Sequence, residues 1–200
     1  LLGEDFLELF DLDIDLAKNT IGLFEHNSCS SEPVYWANAF SEADISVREH
    51  KIFVTLELDG KPFEAVFDTG ASRTMVSTTV TKRMGIDENS PGVTKAGFSN
   101  GIDQHRIDVY KYRFSELHVG DEVVKNPVLN IANLAPIKKD YNSAKRIQES
   151  NDGTLQALLG ADFVKTHHVY IATRSRKMYF TYNGGGIFSP PKDESAAAAR

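Results

Sequence analysis

The chain has a single cysteine, Cys29, among its 200 residues. No disulfide can form within it, and no thiolate metal cluster can be built from it. No apolar run reaches the roughly 18 residues that a membrane-spanning helix needs. Lysine and arginine never gather into a stripe, and with a formal net charge of -6 the composition argues against nucleic acid as a partner. An initiating methionine is also lacking. The start, Leu1-Leu2-Gly3, reads as that of a trimmed fragment, with any targeting segment upstream. What is present is an ordinary globular composition, 41% hydrophobic and 25% charged, sufficient for one domain with a core.

The sequence partly repeats itself. Leu1-Leu2-Gly3-Glu4-Asp5-Phe6 returns as Leu158-Leu159-Gly160-Ala161-Asp162-Phe163. The likeness continues in pattern: Leu12, Ile14 and Leu16 fall opposite Val169, Ile171 and Thr173, and Ile21-Gly22-Leu23 opposite Met178-Tyr179-Phe180. Each copy reads as a short helical turn followed by two period-2 strands around a polar turn. Residues 1–26 are therefore expected to be the C-terminal remnant of an upstream unit, 27–44 a connector, 45–183 the complete domain, and 184–200 a disordered tail. Val34, Tyr35, Trp36 and Phe40 make the connector too apolar for a free linker, which points to a surface groove beneath it.

Within the complete unit, Ile52 to Leu58 and Pro62 to Phe67 alternate as strands, with Asp59-Gly60 as the hairpin turn. Ser77 is placed to cap a short helix ending near Met84, closed by Gly85. Further strands are expected at 108–114, 116–119 and 128–131, with Gly120-Asp121 as the turn between the last two, and a helix at about 140–149. The expected fold is mostly β with short helices.

The returning strand delivers Asp68 at its C-terminal end, in the run Phe67-Asp68-Thr69-Gly70-Ala71-Ser72. Asp-Thr-Gly alone is a weak signal. A preceding apolar strand, the following Met75-Val76, and the later Leu158-Leu159-Gly160 strengthen it. In this order and spacing the two motifs resemble those of the retropepsin-like aspartic proteases, over Ile52 to about Tyr182 and again in the remnant from Leu1 to Phe24. The resemblance implies a closed acid-protease half-barrel, Asp68 as the catalytic residue, Thr69, Gly70, Ala71 and Ser72 as support of its loop, and Leu158-Leu159-Gly160 as the segment packed against it. It implies an endopeptidase that needs no cofactor and no metal. Two carboxylates sharing one proton divide the work of base and acid. Gly70 leaves backbone N–H groups room to turn toward the carboxylate.

One Asp-Thr-Gly is present where two carboxylates are needed. The second comes either from another copy of this chain across a two-fold axis, the preferred reading, or from an absent upstream repeat. A substrate-covering flap is expected at Lys95 to Gly101, with Gly97 and Gly101 flanking a tip of Phe98, Ser99 and Asn100; the plain alternative is a surface hairpin. Retroviral members pair an acid after the loop with an arginine after the later glycine. Here Arg73 and Asp162 could form that ion pair with signs exchanged, or Asp162 could cap the short helix. His167 and His168 are adjacent on a strand and point to opposite faces, which makes them poor joint metal ligands. Asp11, Asp13 and Asp15 alternate with Leu12, Ile14 and Leu16 and read as the solvated face of a strand. The partner implied is a peptide or protein substrate. A catalytically inactive peptide-binding or assembly module of the same fold is the alternative function. Family habit favours an exported, periplasmic or cell-envelope setting, which no residue of the chain specifies.

Overall fold

Period-2 patterning folds a little over half of the described residues into strands. A computed structural model describes residues 9–25, 34–100, 106–134 and 155–188. A first hairpin comprises β1 (Phe10–Asp15) and β2 (Thr20–Glu25). Then follow β3 (Ser41–Arg48), β4 (Lys51–Leu58), β5 (Lys61–Phe67) and β6 (Met75–Ser77). Helix α1 (Thr78–Arg83) leads to β7 (Thr94–Asn100), β8 (Arg106–Arg113), β9 (Glu116–Val119), β10 (Glu122–Lys125) and β11 (Val128–Ala132). The chain ends in β12 (Ala157–Leu159), helix α2 (Ala161–Val164), β13 (His167–Ala172) and β14 (Lys177–Tyr182).

The strands form one 14-stranded sheet in the order β2-β1-β13-β14-β3-β4-β5-β12-β6-β11-β8-β7, with β9 joined to β4 and β10 to β9. Asp59 and Gly60 turn β4 into β5 with φ of 46° and 76°, the left-handed pair that a two-residue hairpin requires. The Asp59 carboxylate accepts hydrogen bonds from the backbone N–H groups of Ser115 and Glu116, both at 2.9 Å, so this turn also fixes the start of β9. Ser77 caps α1 by accepting from the Thr79 N–H at 3.2 Å, and Gly85 follows the helix with φ 78°. Val54, Leu56, Leu58, Leu117, Leu159 and Phe180 are wholly buried in the main core.

The closed barrel is not observed among the described residues. The path ends at β2 and β7, which do not pair with each other, and a register shift between Lys95 and Gly97 disrupts the ladder beside one of these edges. Gly120-Asp121 is a turn as expected, but it leads into β10, a four-residue strand with charged ends that carries too little alternation to be recognised. The connector becomes strand at Ser41, where pairing with β14 begins. The tail's first residues lie against the core through Phe188, which is buried and stacks on Phe163. The helix expected near 140–149 and the hexamer Leu1 to Phe6 lie outside the described residues.

The acidic alternation of β1 is not a solvated face. Asp13 and Asp15 are buried, because Tyr35 and Trp36 fold over that side and His168 lies on it. Asp13 pairs with His168 Nε2 and accepts a hydrogen bond from the Tyr35 hydroxyl. Trp36 stacks on the His168 ring at 3.8 Å and donates to Thr181 Oγ1 at 2.9 Å. The hydrogen bond to Asp13, with burial second, pushes the Tyr35 phenol up to about 12. Burial opposes ionisation of Asp15, yet hydrogen bonds from Lys18 and the nearby His168 hold its carboxyl below the ordinary value.

Candidate active site

Strand β5 ends at Phe67, and the chain does not return beside it. Residues 68–74 form a loop, and the chain re-enters the sheet as β6 with β12 lying between. β12 runs parallel to β5, with Leu159 opposite Phe67, and antiparallel to β6, with Leu158 opposite Met75. This separation holds the loop open at the sheet's end and puts Asp68 at its mouth. The Asp68 N–H donates to the Leu159 carbonyl at 2.9 Å, so the later apolar-apolar-Gly segment sets the height of the carboxylate directly.

The loop then closes on itself. Gly70 N–H donates to Asp68 Oδ1 at 2.9 Å, and Ala71 N–H to the Asp68 carbonyl at 3.1 Å. A Cβ on Gly70 would stand 3.0 Å from Asp68 Oδ1, crowding the oxygen that this N–H holds. The carboxylate is half-buried, and no lysine, arginine or histidine among the described residues pairs with it. Thr69, Gly70 and Ser72 are exposed, Ala71 half-buried.

Gly160 is required by close approach. A Cβ there would lie 2.6 Å from the carbonyl carbon of Arg73 and 2.8 Å from the carbonyl oxygens of Ala71 and Arg73, all of them backbone atoms. That contact lets Ala161 N–H reach the Ala71 carbonyl at 2.8 Å and Gly160 N–H reach Thr74 Oγ1 at 3.0 Å. Among the described residues no ion pair joins Arg73 to Asp162. The Asp162 carboxylate is taken instead by Thr74, whose N–H lies 2.9 Å from both oxygens and whose hydroxyl donates to Oδ1 at 2.7 Å. Two bonds from one buried residue leave the acid no vacancy that an arginine must fill. Asp162 is also not the helix cap, a position held by Gly160.

Sequence reasoning thus passed over Thr74 and Gln156. The Gln156 side chain accepts from Glu64 N–H at 2.9 Å and its carbonyl accepts from Ser77 N–H at 2.8 Å, fastening β5 and β6 to the start of β12. For Thr74 a signal exists: a polar residue between the loop and an apolar strand, where burial demands a partner.

The flap residues are distributed differently from expectation. Gly97, Phe98, Ser99 and Asn100 lie along β7, opposite Val109, Asp108, Ile107 and Arg106 of β8, so they form an arm of the hairpin and not its tip. Gly101 lies outside the described residues. Gly97, at φ 113°, sits at the bulge. Phe98 is 54% exposed, with the Arg106 guanidinium 3.7 Å from its ring centroid. His167 and His168 are both buried and turn to opposite sides, His167 toward Glu122 and the Phe163 carbonyl, His168 toward Asp13.

Fold and loop together define a strand-built protein whose sheet presents one carboxylate at a strand end. A family model described as aspartyl protease matches residues 54–163, from β4 into α2 and more than half of the chain. The chain belongs to the aspartyl protease family. Among solved structures, a retropepsin-like aspartic protease from Rickettsia conorii is similar, with a TM-score of 0.46 and 11% sequence identity, over 69% of this chain and 97% of that chain. No curated protein matches. No helix among the described residues is long and apolar enough to cross a membrane.

Proposed function

We propose that this chain contributes one half of the catalytic centre of an aspartic endopeptidase, with Asp68 as its carboxylate. The observation that carries the reading is the Asp68 loop: a half-buried acid, held by backbone N–H of Gly70 and anchored to Leu159, with no cation beside it among the described residues. Two such acids brought together cannot both ionise readily. The ionised one takes a proton from water as the water oxygen bonds to the peptide carbonyl carbon, and the protonated one gives its proton to the carbonyl oxygen. Collapse of that adduct breaks the C–N bond, and the leaving nitrogen takes up a proton. Thr69, Gly70, Ala71 and Ser72 support the carboxylate, and Leu158-Leu159-Gly160 is the segment behind it. The β7–β8 hairpin is the candidate cover, and an extended peptide is the substrate such a strand-lined site takes.

Cleavage of a denatured protein mixture from acid to neutral pH, compared with Asp68→Asn, tests the reading in the natural full-length polypeptide. Fragments that vanish with the substitution are expected. Identical fragment patterns at every pH would refute the assignment and leave a peptide-binding module.

A further inference from the structure

The two hairpins at the ends of the described chain have the same construction. β1 and β2 occupy positions 10–15 and 20–25, and β13 and β14 occupy 167–172 and 177–182, a constant offset of 157 from Phe10 to His167 and from Thr20 to Lys177. Their internal registers agree at that offset, Phe10 facing Glu25 as His167 faces Tyr182. Even the left-handed turn residue is shared, Asn19 at φ 55° and Arg176 at φ 57°.

How they meet is more telling. β1 and β13 pair antiparallel with Asp13 opposite Tyr170, its own counterpart, and with Leu12 opposite Ile171 and Ile14 opposite Val169. Exchanging each residue of these three pairs for its counterpart returns the same three pairs, and the fourth pair, Asp15 with His168, continues the same register, which is the signature of a local two-fold axis between Asp13 and Tyr170. Their surroundings, however, differ. Met178 and Phe180 of β14 are 0% exposed and β14 is paired by β3. Their counterparts on β2, Ile21 and Leu23, are 68% and 39% exposed, and among the described residues β2 has no neighbour beyond β1. A strand edge that no second described strand pairs, bearing two apolar side chains, is an unfinished surface.

We infer that β1–β2 is the closing hairpin of a second lobe of this fold, carried upstream in the same polypeptide, and that this lobe supplies the acid facing Asp68. The inference rests on the proposed protease reading only for that acid. A lobe placed by the local axis lays its own counterpart of β3 along β2 and its own core over Ile21 and Leu23. The counterpart of Asp68 then falls 157 positions earlier, before Leu1. A second copy of this chain cannot use the same axis, because β1 already occupies the edge of β13. The Asp13–His168 pair and Trp36 stacked on that histidine hold the two hairpins together. On this inference the second acid comes from the same polypeptide, in place of the second copy preferred from sequence.

The natural full-length polypeptide gives three readouts. Sedimentation across a hundredfold range of concentration is expected to show a monomer. Hydrogen exchange is expected to protect the backbone N–H groups of residues 20–25 as strongly as those of 177–182. Adding excess Asp68→Asn polypeptide is expected to leave the specific activity of the wild type unchanged. A concentration-dependent dimer, free-edge exchange at 20–25, or activity poisoned by the added variant would each overturn the inference. The first two need no catalysis, so a polypeptide that cleaves nothing would refute the protease reading while this one is still decided.

Discussion

The Asp68 loop and the β7–β8 hairpin, proposed as the carboxylate's seat and its cover, are held in opposite ways. The loop is fixed by contacts from far along the chain: Leu159 at Asp68, Ala161 at Ala71, Gly160 and Asp162 at Thr74. The hairpin is fixed by its own register and by β8 pairing with β11, while β7 stands at the sheet's edge with Phe98 in solvent. Positioning chemistry asks for the first kind of construction, because a small displacement of a catalytic group costs much of the rate. Admission of a peptide asks for the second, an element that can be displaced without unfolding the core.

The sharpest division comes from Asp68→Asn. The amide oxygen can still accept from Gly70 N–H, so the melting temperature should move by no more than about 2 °C. Peptidase activity should fall at least about a thousandfold, roughly 4 kcal/mol of transition-state stabilisation. Thermal unfolding and cleavage rate, measured on the same preparation, check both halves. Gly160→Ala should cost stability as well as activity. Its methyl group meets three backbone atoms of the loop at 2.6 to 2.8 Å, contacts that only a backbone shift relieves. A destabilisation of about 3 kcal/mol or more is expected by denaturant unfolding, with activity lost because the loop is displaced. A protein unchanged by this substitution would mean that the loop is as loosely held as the hairpin.

Asp162→Ala tests the same fastening from its polar side. It removes both hydrogen bonds made by Thr74, the shared one from its N–H and the one from its hydroxyl, and leaves that residue's buried N–H without its partner. A loss of about 2 to 3 kcal/mol is expected. Arg73→Ala, one residue away, should shift unfolding by less than about 0.5 kcal/mol, because no ion pair among the described residues depends on it. Equal effects from the two substitutions would restore the ion pair in place of the threonine.

How much of this was legible depended on whether the deciding contacts are local. The β4–β5 hairpin, the Asp59-Gly60 turn, the capped helix α1 and the place of Asp68 at a strand end all follow from patterns within about ten residues, and all stand at or close to their expected places. The pairing of Leu158-Leu159 with the loop was readable only through the resemblance, since it joins strands some ninety residues apart. What misled were residues whose environment is supplied by another segment. Asp13 and Asp15 alternate like a wet strand, but Tyr35, Trp36 and His168 cover them. Asp162 looked for a cation and found a threonine. The Gly-flanked heptad looked like a hairpin tip, but period-2 pairing carries β7 through Asn100.

The smallest effect belongs to the hairpin itself. Phe98 is more than half exposed and its main contact is the Arg106 guanidinium, an exposed cation–π pair worth about 0.5 to 1 kcal/mol. Phe98→Ala should therefore lower stability by less than about 1 kcal/mol. If β7–β8 lies over the substrate, loss of the ring removes contact with bound peptide, and KM should rise several-fold with kcat nearly unchanged, the pattern of binding lost equally from ground and transition states. Steady-state kinetics on one short peptide separates the two constants. Unchanged KM would leave Phe98 as an ordinary surface aromatic and strip the hairpin of its role at the site. A fall in kcat matching that of Asp68→Asn would instead show the hairpin acting on the chemistry, and the division between a fixed loop and a displaceable cover would have to be redrawn.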